Sequence, residues 1–376
     1  MKGVFFAEGL ELDKARQYGI EKKVISQIKY LEKIGELNVL NINPKRSLVD
    51  DILFICPIVK SRREIERYKL LDCIDSKTDY IYIRRPTLTN AFYLLLKKIK
   101  KEYNNIIIIL EIPTYPFHKE YHGLSKILVI KSMICEKKMN RVIDRIMTYS
   151  NDRQIWGIDC INASNCVEYE MIESRSTSYK VIPKCIRLTF VANLMYWHGV
   201  DRIIKGILNY HGDYKVILNV VGAGQELENL KAQANSDKRI IFHGPKSGDE
   251  LTEIFNKTDI AIDALGRHRS GVIYNSSLKG KEYVARGIPV VSAVETELDN
   301  LTDFPYYLKL PANDTDIKID SIIEFYKNIY LNKDSETITL NIRNYTRKLF
   351  DYEFGFKRPI EEYLEKRKGV LNDRKK

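Results

Sequence analysis

The sequence predicts an α/β fold built from two doubly wound, Rossmann-like domains. Three observations lead there: strand-sized apolar runs alternate with helical patterns, the alternation starts afresh after Pro183, and 376 residues are too many for one average core. In the first half the strand-like runs are residues 3–7, 37–42, 52–58, 80–83, 106–110 and 145–149. In the second they are 188–191, 216–221, 240–242, 260–264 and 290–292. Most of these runs are apolar at consecutive positions, as expected of parallel strands covered by helices on both faces. The domain boundary is expected where Pro183 interrupts the pattern, giving domains of residues 1–182 and 183–345. Residues 346–376 read as a basic helical segment packing back on the first domain.

A hydrophobic content of 44% with 30% charged residues fits a globular, enzyme-sized protein. The cysteines at 56, 73, 135, 160, 166 and 185 have no zinc or dithiol spacing. No leader-like segment is read at the start, so reduced cysteines and a cytoplasmic location are expected. No run approaches the roughly twenty apolar residues that span a bilayer. The net charge of +11 and a pI near 9.1 point to a polyanionic partner. Residues 94–101 and 126–145 interleave lysines with apolar residues, as in amphipathic helices. Peripheral contact with an anionic membrane and ordinary packed surface helices both fit that pattern. Nucleic acid is not expected, since no binding motif accompanies the charge.

The stretch from Leu278 to Val291 reads as a helix carrying Lys279 and Glu282, capped by Gly287 and delivered by Pro289 into a buried strand. An acid placed there can clamp a ribose; an ordinary helix-to-strand unit with a surface Lys–Glu pair is the alternative. Strand 216–221 runs into Gly222-Ala223-Gly224-Gln225-Glu226, where glycine permits close backbone approach and the following helix offers free amides. The third glycine of a dinucleotide fingerprint is missing, which argues against a nicotinamide cofactor. The turn at His243-Gly244-Pro245 belongs on the same rim, with His243 read as structural. The loop Leu265-Gly266-Arg267-His268-Arg269-Ser270-Gly271 offers guanidinium forks and backbone amides to a diphosphate, or is a solvated basic loop.

Taken in order, residues 188–203, the turn at Gly222, Gly224 and Glu226, Phe242-His243-Gly244, Thr258-Asp259-Ile260 and residues 281–290 resemble the donor half of glycosyltransferase family 4. The resemblance is strong over about half the chain. It implies a retaining enzyme of GT-B fold, with two Rossmann-like domains facing a central cleft, residues 183–345 holding the nucleotide sugar and residues 1–182 the acceptor side. It also implies a UDP- or GDP-linked sugar as donor, and a glycan or polyprenyl-linked acceptor in surface polysaccharide synthesis. No resident cofactor and no metal are expected.

The implied sites are Glu282 on the ribose, Gly222, Gly224, Glu226 and Gly244 around the nucleotide, and Gly271 with Lys279 and Arg269 at the diphosphate. The first half is less similar. Gly19 stands where such enzymes place a loop beside the donor phosphates, Glu111 and Tyr115 fall on the acceptor-side loop, and His118 follows as an acceptor-side catalytic group. A packed loop held by Pro113 and Pro116 is the alternative for Glu111 and Tyr115.

The chain departs from the family pattern at three positions. The first of two acids spaced around seven residues falls on Tyr274, and the Arg and Lys expected after the first donor-domain strand are Asn193 and His198. Positive charge for the diphosphate is therefore expected from Lys279, Arg269 and Arg202, with His198 donating a hydrogen bond when neutral or charge when protonated. A sugar-nucleotide epimerase of the same fold and a non-catalytic nucleotide-binding scaffold remain open as rivals.

Overall fold

The computed structural model describes residues 1–12, 20–43, 61–84, 86–115, 132–176, 179–331 and 334–373. They form two compact units, Met1–Ala163 with Tyr352–Lys376, and Ser164–Asp351.

In the first unit the strands β1 (Lys2–Glu8), β2 (Glu36–Ile42), β3 (Tyr80–Arg84), β4 (Ile107–Ile112), β5 (Arg145–Thr148), β6 (Gln154–Ile155) and β7 (Ile158–Asn162) form one sheet in the order β2-β1-β3-β4-β5-β7-β6. Pairing is parallel except for the β6–β7 hairpin. All six residues of β4 are buried, as a strand covered on both faces requires. Helix Asn90–Glu102 is capped by the Thr89 hydroxyl, which accepts from the Phe92 amide at 3.2 Å. It buries Phe92, Leu95, Leu96 and Ile99 and turns Leu94, Lys97, Lys98 and Lys101 to solvent.

The chain end returns to this unit. Tyr352 stacks on Tyr30 at 5.2 Å, and Phe356 meets Tyr82 edge-on at 6.0 Å. The hairpin turn at Trp156 and Gly157, both at positive φ, was not anticipated, because Trp-Gly is not among the usual turn pairs. The expected strand at 52–58 lies outside the described residues.

The second unit contains β8 (Cys185–Val191), β9 (Lys215–Val221), β10 (Ile240–Gly244), β11 (Ile260–Ile262), β12 (Val290–Ser292) and β13 (Tyr307–Lys309), all parallel, in the order β10-β9-β8-β11-β12-β13. The chain builds outward from β8 through β9 and β10, then crosses back to lay β11 on the other side of β8. Connections leave β8 and β11 in opposite directions, which opens a crevice beyond their carboxyl ends.

The boundary expected at 182/183 falls inside this second unit. The reason is that the segment before Pro183 is bonded into it: Arg175 Nη1 donates to the Tyr330 hydroxyl at 2.8 Å and to Thr258 O at 3.2 Å. Residues 346–351 also stay with the second unit, where Val167 N–H donates to Phe350 O at 3.0 Å. Among the described residues no helix is long and apolar enough to cross a membrane.

Candidate functional site

The carboxyl rim of the second sheet is assembled by glycines. Gly199 (φ +68) lies after β8, and a Cβ there would stand 2.6 Å from the Gly266 amide on the loop after β11. Side chains at either position would push the two loops apart. Gly222 and Gly224 do the same for the turn after β9. A Cβ on Gly222 would overlap the Ala192 carbonyl and one on Gly224 the Leu194 backbone. The contact is held by Leu194 N–H donating to Ala223 O at 2.6 Å and Glu226 N–H donating to Leu194 O at 3.1 Å. Gly199→Ala is expected to cost about 2 kcal/mol through left-handed strain and this contact, read by chemical denaturation.

Within the crevice, Ser277 caps helix Leu278–Ala285, accepting from Gly280 N–H at 3.3 Å and donating to the buried Asp263 Oδ1 at 2.8 Å. The Lys279 ammonium stands 3.7 Å from that same oxygen, too far for a hydrogen bond, and 4.4 Å from the centre of the Phe190 ring. Its Nζ is shielded from water and has no hydrogen-bond partner among the described residues. Burial lowers its pKa to about 8; Asp263 pulls the other way and the Arg267 charge adds to the lowering.

The His198 ring meets Phe190 edge-on at 5.7 Å, and its Nδ1 accepts from Met195 N–H at 3.2 Å, which puts the ring proton on Nε2. Burial, then the Lys279 and Arg267 charges, push its pKa down to about 2, while the Asn193 backbone carbonyl acts the other way. His198 is therefore neutral. It supplies no charge, and the protonated alternative is set aside. Exposed Asn193 has its side-chain oxygen beside Gly224.

Two expected diphosphate ligands are held elsewhere. Arg269 forks onto Asp201 with two contacts of 2.8 Å, donates to Asp314 at 2.6 Å and to Tyr196 O at 3.0 Å, and stacks over the Tyr196 ring. Arg202 is buried and donates to Leu265 O, to Thr315 O at 2.9 Å and to Pro311 O at 3.1 Å. Both pin loops together, so neither guanidinium has the free fork a phosphate needs.

Glu282 accepts from Arg286 at 3.1 and 3.2 Å, both contacts ending on Oε1, rather than pairing with Lys279. Half-buried Tyr274 forms a backbone β-bridge with Glu295, and burial together with the Glu297 charge raises its phenol pKa. Gly271 (φ +73) closes the turn Arg267–Ser270, and Gly244 (φ +66) faces open space. Glu226 accepts from Asn229 at 3.2 Å. Sequence reasoning missed Asp263, whose signal was an acid ending an apolar strand, and Tyr283, whose hydroxyl accepts Val191 N–H at 3.2 Å at the end of β8.

In the first unit, Glu111 is fully buried. Its Oε1 accepts from Arg84 at 2.8 Å and Tyr149 at 3.0 Å, its Oε2 from Tyr82 at 3.0 Å, and Lys23 Nζ stands 3.5 Å away. Burial alone would raise its pKa, but the Arg84 and Lys23 charges and these hydrogen bonds hold it down at about 2. A carboxylate so enclosed has its oxygens bonded within its own unit, whereas the acceptor-side expectation for Glu111 needs one open to a ligand. Tyr115 is half-buried against the same core, and burial raises its phenol pKa. Gly19 and His118 lie outside the described residues. Among the described residues no group of three or more His, Cys, Asp or Glu is placed to hold a metal ion.

No family model matches the chain. An uncharacterised glycosyltransferase of Methanocaldococcus jannaschii is 30% identical over 208 residues, covering 52% of this chain and 49% of that protein. The chain thus spans about half the length of the curated relative it matches. Among solved structures, a lipopolysaccharide outer core galactosyltransferase, WaaB, is similar with a TM-score of 0.59 at 13% identity, covering 97% of this chain and 100% of that one. HepE of Anabaena, solved in complex with UDP, has a TM-score of 0.59 at 14% identity, covering 97% and 100%. Sucrose-phosphate synthase from Thermosynechococcus elongatus has a TM-score of 0.61 at 13% identity, covering 99% and 98%. The fold is GT-B. Identities this low establish the GT-B fold and nothing finer.

Proposed function

We propose that the chain is a retaining glycosyltransferase that moves a sugar from a UDP- or GDP-linked donor onto a glycan or polyprenyl-linked acceptor in surface polysaccharide synthesis. The observation that carries this reading is the Lys279 ammonium. Its Nζ is buried with no hydrogen-bond partner among the described residues, near the switch point between β8 and β11, with Asp263 3.7 Å away and the Phe190 ring 4.4 Å away. A buried ammonium with only the Asp263 carboxylate 3.7 Å away is incompletely compensated, and a diphosphate oxygen would complete it. The UDP complex of the structurally similar HepE supports the same ligand class.

In this reading Lys279 stabilises the charge that develops on the leaving diphosphate, and neutral His198 donates a hydrogen bond beside it. Glu282 offers the ribose its Oε2, since Arg286 occupies only Oε1. Arg269 and Arg202 act as positioning residues that hold the loops. The acceptor binds on the first unit, and peripheral membrane contact belongs to the reading because a polyprenyl-linked acceptor resides there.

A thermal-shift panel of UDP, GDP and ADP tests it. At a hundredfold excess over Kd, a ligand bound only by the folded state adds about 2.7 kcal/mol, a shift of several degrees. One of the three is expected to give that shift, and a flat response to all of them refutes the reading. Turnover of a donor sugar with no acceptor present would favour the epimerase instead.

A further inference from the structure

The first sheet has a switch point of its own. The chain leaves β1 through helix Ile20–Glu32 for β2 on one side, and later lays β3 against the other side of β1. A crevice therefore opens beyond the carboxyl ends of β1 and β3. Arg84 is the last residue of β3, and Glu111 is its register partner on β4.

A closed circuit of hydrogen bonds fixes the Arg84 guanidinium. Its Nη1 donates to Glu111 Oε1 at 2.8 Å and to Gln27 Oε1 at 3.3 Å. Gln27 Nε2 donates in turn to the Tyr149 hydroxyl at 2.8 Å, and that hydroxyl donates to the same Glu111 oxygen at 3.0 Å. Gln27, Glu111 and Tyr149 are all buried, so water does not compete for these bonds.

The Nε and Nη2 of Arg84 take no part in the circuit and make no hydrogen bond among the described residues. Arg67, Arg175 and Arg202, by contrast, each spend all three nitrogens on protein acceptors. A guanidinium needed only to neutralise a carboxylate turns its two-nitrogen edge toward it. Arg67 does so, placing Nε and Nη2 on the two oxygens of Glu8. Arg84 instead meets Glu111 through one terminal nitrogen and keeps the fork unspent, on a side chain only 12% exposed.

We infer that the Nε–Nη2 edge of Arg84 binds an oxyanion, a phosphoryl or carboxylate group, through two parallel hydrogen bonds. The inference rests on the proposed sugar transfer only in naming the carrier, an acceptor that bears such a group. Glu111 and Gln27 are then positioning residues, and the enclosed carboxylate serves the ligand without touching it.

Phenylglyoxal labelling of the full wild-type chain, read by peptide mass spectrometry, tests this. Arg84 is expected to be labelled while Arg67 and Arg202 stay unlabelled. Glucose 1-phosphate or glucuronate is expected to slow the labelling of Arg84 at least fivefold relative to glucose at matched ionic strength. Stronger protection by these sugar anions than by inorganic phosphate assigns the group to an acceptor, and equal protection assigns the site to free anions. Arg84→Lys keeps the charge beside Glu111 but loses the fork, so calorimetric affinity for the protecting anion should fall at least tenfold with little change in melting temperature. If that variant melts early, labelling of the wild type still decides. Lys279→Met is expected to leave the protection of Arg84 intact, which separates this site from the proposed donor site. An Arg84 that is not labelled, that is labelled equally fast with every anion, or whose protection is lost in Lys279→Met would overturn the inference.

Discussion

Lys279→Met is expected to make the ligand-free protein more stable at pH 7 while abolishing its response to nucleoside diphosphates. The two effects have opposite signs if, as proposed, the ammonium serves a ligand rather than the fold. In the folded chain its pKa is lowered from 10.5 to about 8, and that net direction already includes the attraction of Asp263. The unfolded chain therefore holds the proton more tightly than the folded chain between pH 8 and 10.5. Stability of the wild type rises with pH across that window, and below it the full penalty of burying the charge is present. The difference corresponds to at most about 3 kcal/mol at pH 7, which a methionine of similar length would remove.

Trp156 and Trp197 lie one in each unit, so denaturation followed by fluorescence in a Trp156→Phe background reports the second unit. The gain should be full at pH 7, shrink above pH 8 and be nearly gone by pH 10.5. A variant less stable than wild type at pH 7 would mean that Lys279 serves Asp263. A variant that kept the nucleotide-induced shift would remove Lys279 from the diphosphate.

The legibility of this chain follows burial. Strands covered on both faces, such as β4 and the middle of β1, are apolar at consecutive positions and could be read directly, whereas β6, β7 and β13 are edge or near-edge strands of two to five residues with partly exposed side chains. The glycine turns were visible because close approach of two backbones admits little else.

The engagement of Arg202 and Arg269 by protein groups was hidden from the sequence for a different reason. A guanidinium is available to a ligand only if its donors are not already taken. The groups that take them include Leu265 O, Thr315 O and Asp314, which are remote in sequence. Lys279 differs from these arginines by the absence of such partners, which only three-dimensional placement reveals. Glu111 shows the same limit in reverse, since its position after an apolar strand suits a catalytic acid and a buried counterion equally.

Glu111→Gln is expected to destabilise the first unit by about 3 to 5 kcal/mol at pH 7, the usual consequence of removing one partner from a buried ion pair. The amide keeps the shape but not the charge. Arg84 loses its 2.8 Å carboxylate contact and Lys23 its 3.5 Å one, and a donor NH2 faces hydroxyls or cations that also donate. The pH dependence follows from a carboxyl pKa depressed from 4.5 to about 2. Its contribution is complete above pH 4.5 and is lost as pH falls toward 2, so the gap between wild type and variant should be constant from pH 5 to 8 and close below 4.5.

In a Trp197→Phe background, urea denaturation followed at Trp156 reads this unit alone. The UDP, GDP and ADP panel on the otherwise wild-type chain should meanwhile respond to Glu111→Gln as wild type does, because the crevice proposed for the nucleotide is built from the other unit. Unchanged stability at Trp156, with sugar transfer lost, would return Glu111 to the acceptor and mean that the enclosure around it opens when substrate binds.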